Sequence, residues 1–175
     1  QLNKEIQILM DQSEEMMGFI PNDVLIMAKN PELLKSVSQL INTIYSFSSI
    51  SEEIRSLVGL MASQASGCNY CIAHTSNSAI EKNISLEKVK NIWEFETSDS
   101  FSESEKAALR IALNAAQTPN LISDEHYSEF KKYYDENQQI EILAIISLFG
   151  FLNRWNSSLM TEIESLPSTR MKEIE

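Results

Sequence analysis

The chain has 175 residues and a net charge of −11, from 14 Lys and Arg against 25 Asp and Glu. This length predicts one domain spanning 1–175, and the acidic balance repels phosphate, which argues against nucleic acid and membranes as partners. Only 4 Gly, 4 Pro and 2 Cys are present. That excludes a hairpin-rich β-sandwich and a disulfide-stapled secreted scaffold.

The chain opens on Gln1, which reads as a processed or trimmed protein, and 1–12 lacks the charged-then-apolar layout of a signal segment. Leu2, Ile6, Leu9 and Met10 space as one helical stripe, ended by Gly18 and Pro21. Asn30 caps a helix that begins with Pro31 and buries Leu33, Leu34, Val37, Leu40, Ile41 and Ile44. Ser51, followed by Glu52 and Glu53, opens a third helix whose buried face carries Ile54, Leu57, Val58, Leu60 and Met61. Gly67 interrupts it, and a new helix runs from near Cys68 to about Lys82. A short helix follows from Ser85 through Trp93, and Ser102 with Glu105 forms a capping box for the next. Pro119 and Asn120 make a turn, and Ser123 and Asp124 start a helix through Tyr134. A last helix is expected from about Asn137 to Glu164, with Pro167 beyond its end. It is apolar on several faces, as in a core helix or one buried in an oligomer. No segment reads as a strand, so the fold class is all-α with seven or eight helices. No apolar run reaches the roughly 20 residues of a membrane span. The expected location is cytoplasmic.

Both cysteines and one of the two histidines fall in a single window, Gly67-Cys68-Asn69-Tyr70-Cys71-Ile72-Ala73-His74. At three-residue spacing on a helix, Cys68, Cys71 and His74 share one slowly drifting face. The pattern suits thiol redox chemistry. A helix N-terminus acidifies a thiol, the neighbouring thiol can close a disulfide, and the histidine can take a proton. Helix-dipole reasoning alone favours Cys68 as the more acidic thiol. Zinc would need a fourth ligand, with His126 the remaining histidine. Covalent haem fails because Ile72, not histidine, follows Cys71. A thioredoxin-like fold needs strands that are missing. Two inert buried thiols are the plainest alternative. Arg154, set among Phe151, Leu152 and Trp155, is expected to be structural or to line the redox pocket. Met10, Met16 and Met17 are expected in core or interface packing.

The stretch from Glu53-Ile54-Arg55 through Gly67-Cys68-Asn69-Tyr70-Cys71-Ile72-Ala73-His74-Thr75-Ser76 resembles the core of the AhpD-like alkylhydroperoxidase and carboxymuconolactone decarboxylase family. Leu148-Phe149-Gly150-Phe151-Leu152-Asn153-Arg154-Trp155-Asn156 is similar to the last core helix of its peroxidase-related branch. The resemblance covers about 18–164. It implies an AhpD-like multi-helix fold, a homo-oligomer (trimer or hexamer), and reduction of a small-molecule peroxide in antioxidant defence. It implies no bound cofactor beyond a redox-active Cys68–Cys71 disulfide, which a lipoylated or thioredoxin-like protein reopens as external dithiol. It assigns Cys71 as the peroxidatic thiol, Cys68 as the resolving thiol and His74 as the group that activates Cys71. The family's relay glutamate falls at Ser56 here, which leaves Glu53 as the candidate to replace it, and Tyr70 stands where a histidine is frequent. A decarboxylase-like lyase acting on a lactone acid and a non-enzymatic redox-sensing assembly are the alternative functions.

Overall fold

The structure is a computed structural model that describes residues 2–174, with side chains described from Lys4 onward; Gln1 and Glu175 lie outside it. Every regular element among the described residues is helical. In chain order they are α1 (Leu2–Met17), α2 (Asn22–Met27), α3 (Pro31–Tyr45), α4 (Glu52–Ser66), α5 (Asn69–Glu81) and α6 (Leu86–Lys90). A 3-10 turn at Ile92–Glu94 precedes α7 (Glu103–Ala115), α8 (Asp124–Tyr133), α9 (Glu136–Leu159) and α10 (Ser165–Ile174). The expected seven or eight helices thus lack α2 and α10. None of these helices is long and apolar enough to cross a membrane.

Side-chain caps start the helices where the sequence places them. Asn30 accepts from Leu33 N, Ser51 from Ile54 N and Ser102 from Glu105 N, the last within a complete capping box. Two endings differ from expectation. The helix after Ser85 stops at Lys90 and continues as the 3-10 turn. Helix α9 stops at Leu159, where Met160 takes a left-handed conformation with φ 51°. Pro167 therefore lies inside the first turn of α10, a position whose N–H has no helical acceptor.

Helix α4 is the centre of the molecule. Val58, Leu60, Met61 and Ala62 are wholly buried, and α5, α7 and α9 pack around them. Gly59 lets α9 approach closely: a Cβ there would lie 2.8 Å from a ring carbon of Phe149. A smaller cluster of Met27, Leu34 and Val37 fixes α2 and α3 beside Ile6 and Leu9 of α1 and Trp155 of α9. A third cluster holds Cys68, Tyr70 and Cys71 against Leu152 and Ile163. Met16 is largely exposed, as is Tyr133 in part, while Tyr134 is buried and its hydroxyl donates to Ser104 O.

Candidate active site

The site begins with a helix break. Gly67 ends α4 in the left-handed region, φ 66°, and turns the chain so that Cys68 becomes the N-cap of α5. The Cys68 sulfur accepts the Cys71 N–H at 3.3 Å, as an N-cap serine oxygen would. Both thiols are free and nearly sealed, at 1% and 4% exposure.

The two thiols are unequal. A hydrogen bond from the Cys71 thiol, opposed by burial and aided by the Ser157 hydroxyl and the first N–H groups of α5, brings the Cys68 thiol down to about 6. That same bond, burial and the charge on Cys68 push the Cys71 thiol well above its ordinary range. The lowered Cys68 thiol follows the direction that the dipole argument expects of a thiol at a helix start. A cavity of about 440 Å³ opens beside the pair: Cys68, Tyr70, Asn156, Met160 and Thr161 line it, and Cys71 does not.

Behind the thiols lies a buried polar chain that reaches across the sequence. Asn156 of α9 donates through its amide to Cys71 Sγ at 3.8 Å and to Asp23 Oδ2 at 3.3 Å. Tyr70 donates its hydroxyl to Glu164 Oε1 at 2.9 Å and lies 3.3 Å from Asp23 Oδ1. Glu164 also accepts from Asn22 N at 2.5 Å and pairs with His74 Nε2 at 2.6 Å. Burial pushes Glu164 up, but the His74 and Asn22 bonds and the His74 charge outweigh it and hold the carboxyl at about 2. Burial pushes the Asp23 carboxyl up against the bond from Asn156 and the nearby His74. The His74 ring stacks on Tyr70, with centroids 4.2 Å apart, and meets the edge of Phe19.

Cys68, Cys71 and His74 do share the start of α5, but the hydrogen-bond partner of His74 is Glu164 and not a thiol. Glu53 is placed elsewhere. It sits in the first turn of α4, about 20 Å along that helix from Gly67 by helical rise. Its carboxylate binds Lys88 at 2.8 Å, and Lys88 also binds Glu105 at 2.6 Å. Arg154 reaches Gly150 O and Thr118 Oγ1 on another face of α9. His126 caps α8 through Ser123, and no group of three His, Cys, Asp or Glu among the described residues could hold a metal. The sequence reading missed Asp23, Asn156 and Glu164. Each is a single polar residue far along the chain from the cysteine motif, with no spacing rule to join it to them.

Residues 31–114 match the model of the carboxymuconolactone decarboxylase family. The chain is 37% identical to the debrominase Bmp8, covering 98% of this chain and 92% of that one with a TM-score of 0.92. A cysteine-to-alanine variant of Bmp8 has been solved with 2,3,4-tribromopyrrole, and the chain fits it equally well, at a TM-score of 0.92. The uncharacterized protein YdfG of Bacillus subtilis (strain 168) is 29% identical over 110 residues, 62% of this chain and 73% of that protein. A peroxidase-related protein from Ralstonia eutropha JMP134 with an AhpD core shares the fold at 16% identity and a TM-score of 0.83, over 95% of this chain and 90% of that one. With its Cys68-x-x-Cys71 pair at the head of a core helix and an AhpD-like all-helical fold, the chain belongs to the carboxymuconolactone decarboxylase family.

Proposed function

We propose that the protein is a dithiol oxidoreductase that reduces an organic hydroperoxide through Cys68 and Cys71. The observation that carries this reading is the placement of the two thiols: Cys68 caps α5 on the cavity wall, and Cys71 lies one turn on with its N–H bound to the Cys68 sulfur. The Cys68 thiolate attacks the terminal peroxide oxygen. An S–O bond forms, the O–O bond breaks, and the leaving alkoxide takes a proton to become an alcohol. The Cys71 sulfur then attacks Cys68, an S–S bond forms, and the oxygen departs as water with the Cys71 proton. An external dithiol, carried by a lipoylated or thioredoxin-like protein, returns two electrons and two protons. The family's peroxidatic and resolving roles are exchanged in this scheme.

The likeness to Bmp8 over almost the whole chain favours a second reading, reductive dehalogenation. The same thiolate would attack a ring-bound halogen. An S–halogen bond forms as the carbon–halogen bond breaks, the ring carbon takes a proton from solvent, and the Cys71 thiol then displaces halide, losing its proton, to give the same disulfide. Both readings are tested by single turnover of the reduced protein with cumene hydroperoxide and, separately, with a bromopyrrole. Disulfide formation is followed by mass spectrometry in wild type, Cys68→Ser and Cys71→Ser. Expected are loss of substrate consumption in Cys68→Ser and a trapped adduct on Cys68 in Cys71→Ser. Undiminished consumption by Cys68→Ser sinks the proposal, and an adduct on Cys71 in Cys68→Ser restores the family's order of roles.

A further inference from the structure

Closing a disulfide asks the Cys71 sulfur to give up its proton where little water reaches, since the residue is only 4% exposed. The groups that the resemblance offered for such work are placed elsewhere. His74 is bound to Glu164, and the Ser56 hydroxyl is buried with no hydrogen-bond partner among the described residues. The side chain that does reach Cys71 Sγ is Asn156, whose amide nitrogen lies 3.8 Å away.

Asn156 is itself buried and held from two sides. Its amide also donates to Asp23 Oδ2 at 3.3 Å, which keeps the nitrogen end toward the sulfur. Its backbone carbonyl accepts from Thr161 N at 3.1 Å, closing the end of α9 around the left-handed Met160. A donor fixed in this way does little for a protonated thiol, which is a weak acceptor, and most for a sulfur that carries charge. It therefore favours the transition state over the resting dithiol.

The surroundings of Cys71 change in its favour once Cys68 has reacted. In the resting pair the bond with Cys68, burial and the Cys68 charge push the Cys71 thiol up, and the Asn156 amide pulls it down. With Cys68 bonded to oxygen or to a second sulfur, its charge and its bond to the Cys71 thiol are gone. Burial and the Asp23 carboxyl then stand against the Asn156 amide.

We propose that Asn156 is a catalytic residue of the resolving step: its amide supports the charge on Cys71 Sγ while that sulfur closes the disulfide onto Cys68, and again when an external thiol opens the disulfide. In the opening step the incoming thiolate meets Cys68, the sulfur on the cavity wall. An S–S bond to Cys68 forms, the Cys68–Cys71 bond breaks, and Cys71 leaves with the electron pair and then takes a proton. The proposal rests on the reading that Cys68 attacks first.

Methyl methanethiosulfonate separates the steps without peroxide or halide. The Cys68 thiolate attacks its sulfenyl sulfur, methanesulfinate leaves, and Cys68 carries a methyl disulfide. Cys71 then attacks Cys68 Sγ, and methanethiol leaves with the Cys71 proton. Acid-quenched mass spectrometry of the reduced protein with one equivalent of reagent follows both phases. Asn156→Leu should load Cys68 at the wild-type rate and close the disulfide roughly tenfold more slowly, the worth of one hydrogen bond to a charged group. The pH at which the second phase gains speed should also move upward, a shift that loosened packing alone does not produce. Asn156→Ser, whose hydroxyl is too short to reach the sulfur, should show the same delay and carries the test should the leucine variant fail to fold. An unaltered second phase after loading at Cys68 overturns this assignment alone. Equal slowing of both phases marks a structural role and overturns it too. Loading on Cys71, or no loading, overturns it together with the proposed order of roles. If the second phase is slowed and no hydroperoxide or bromopyrrole is consumed, the proposed function fails and the role of Asn156 stands.

Discussion

Two sulfurs three residues apart differ because one caps a helix and the other lies within it. Cys68 receives the Cys71 thiol, the Ser157 hydroxyl and two N–H groups, while Cys71 lies beside Asn156 and toward Asp23. A lowered thiol pKa means that the reactive thiolate is lost as pH falls through that value. Alkylation of Cys68 by iodoacetamide should therefore rise with pH through about 6 and then level off. Cys71→Ala removes the largest acidifying contact and should move that midpoint upward; an unmoved midpoint would show that the thiol bond is not the cause. The cap itself was legible, since Gly67 before Cys68 marks a helix break and the dipole argument singles out Cys68. The partners of His74 were not. Glu164 is 90 residues away and lies between helices, outside any periodic pattern. Glu53 stood as the relay candidate because the family's glutamate position is Ser56, yet an acid in the first turn of α4 has a structural reason of its own.

Helix α4 shows how one element ties the core to the site. Its fifteen residues bury nine, and its glycine in mid-helix is a spacer. In an open helix Gly→Ala would stabilise by about 1 kcal/mol. At Gly59 the new methyl would meet the Phe149 ring at 2.8 Å, and overpacking of that kind costs about 1–3 kcal/mol. Gly59→Ala should thus lower stability by roughly 1 kcal/mol net in chemical denaturation; a gain would mean that α9 moves aside freely. The long amphipathic helices and their caps were readable because period and cap residue agree, as at Asn30-Pro31 and Ser102-Glu105. Helix α2 was not, since six residues between Pro21 and Ala28 are too few to display a period. The end of α9 was missed because Met160, which has a side chain, adopts the left-handed turn normally given to glycine.

At the scale of the molecule, Glu164 joins three stretches that are distant in sequence. It accepts from Asn22 at the start of α2, from Tyr70 and His74 on α5, and itself lies between α9 and α10. Its carboxyl is held at about 2 in the folded chain against an ordinary 4.5. A depressed carboxyl contributes stability that is complete above the ordinary value and is lost as pH falls toward the folded one. The melting temperature should therefore drop between about pH 4.5 and 2 by more in wild type than in Glu164→Gln, which has no such charge to lose. Parallel melting curves over that range would remove Glu164 as the acid-sensitive link.

The helix break at Gly67 has one more consequence. The sulfur proposed as nucleophile is also the atom that satisfies a free N–H at the start of α5. One sulfur thus serves both the helix start and the proposed chemistry. Replacement by alanine strips both at once, whereas serine preserves the helix start and removes only the nucleophile. The gap in stability between Cys68→Ala and Cys68→Ser therefore measures what the sulfur contributes as a helix cap, apart from its chemistry.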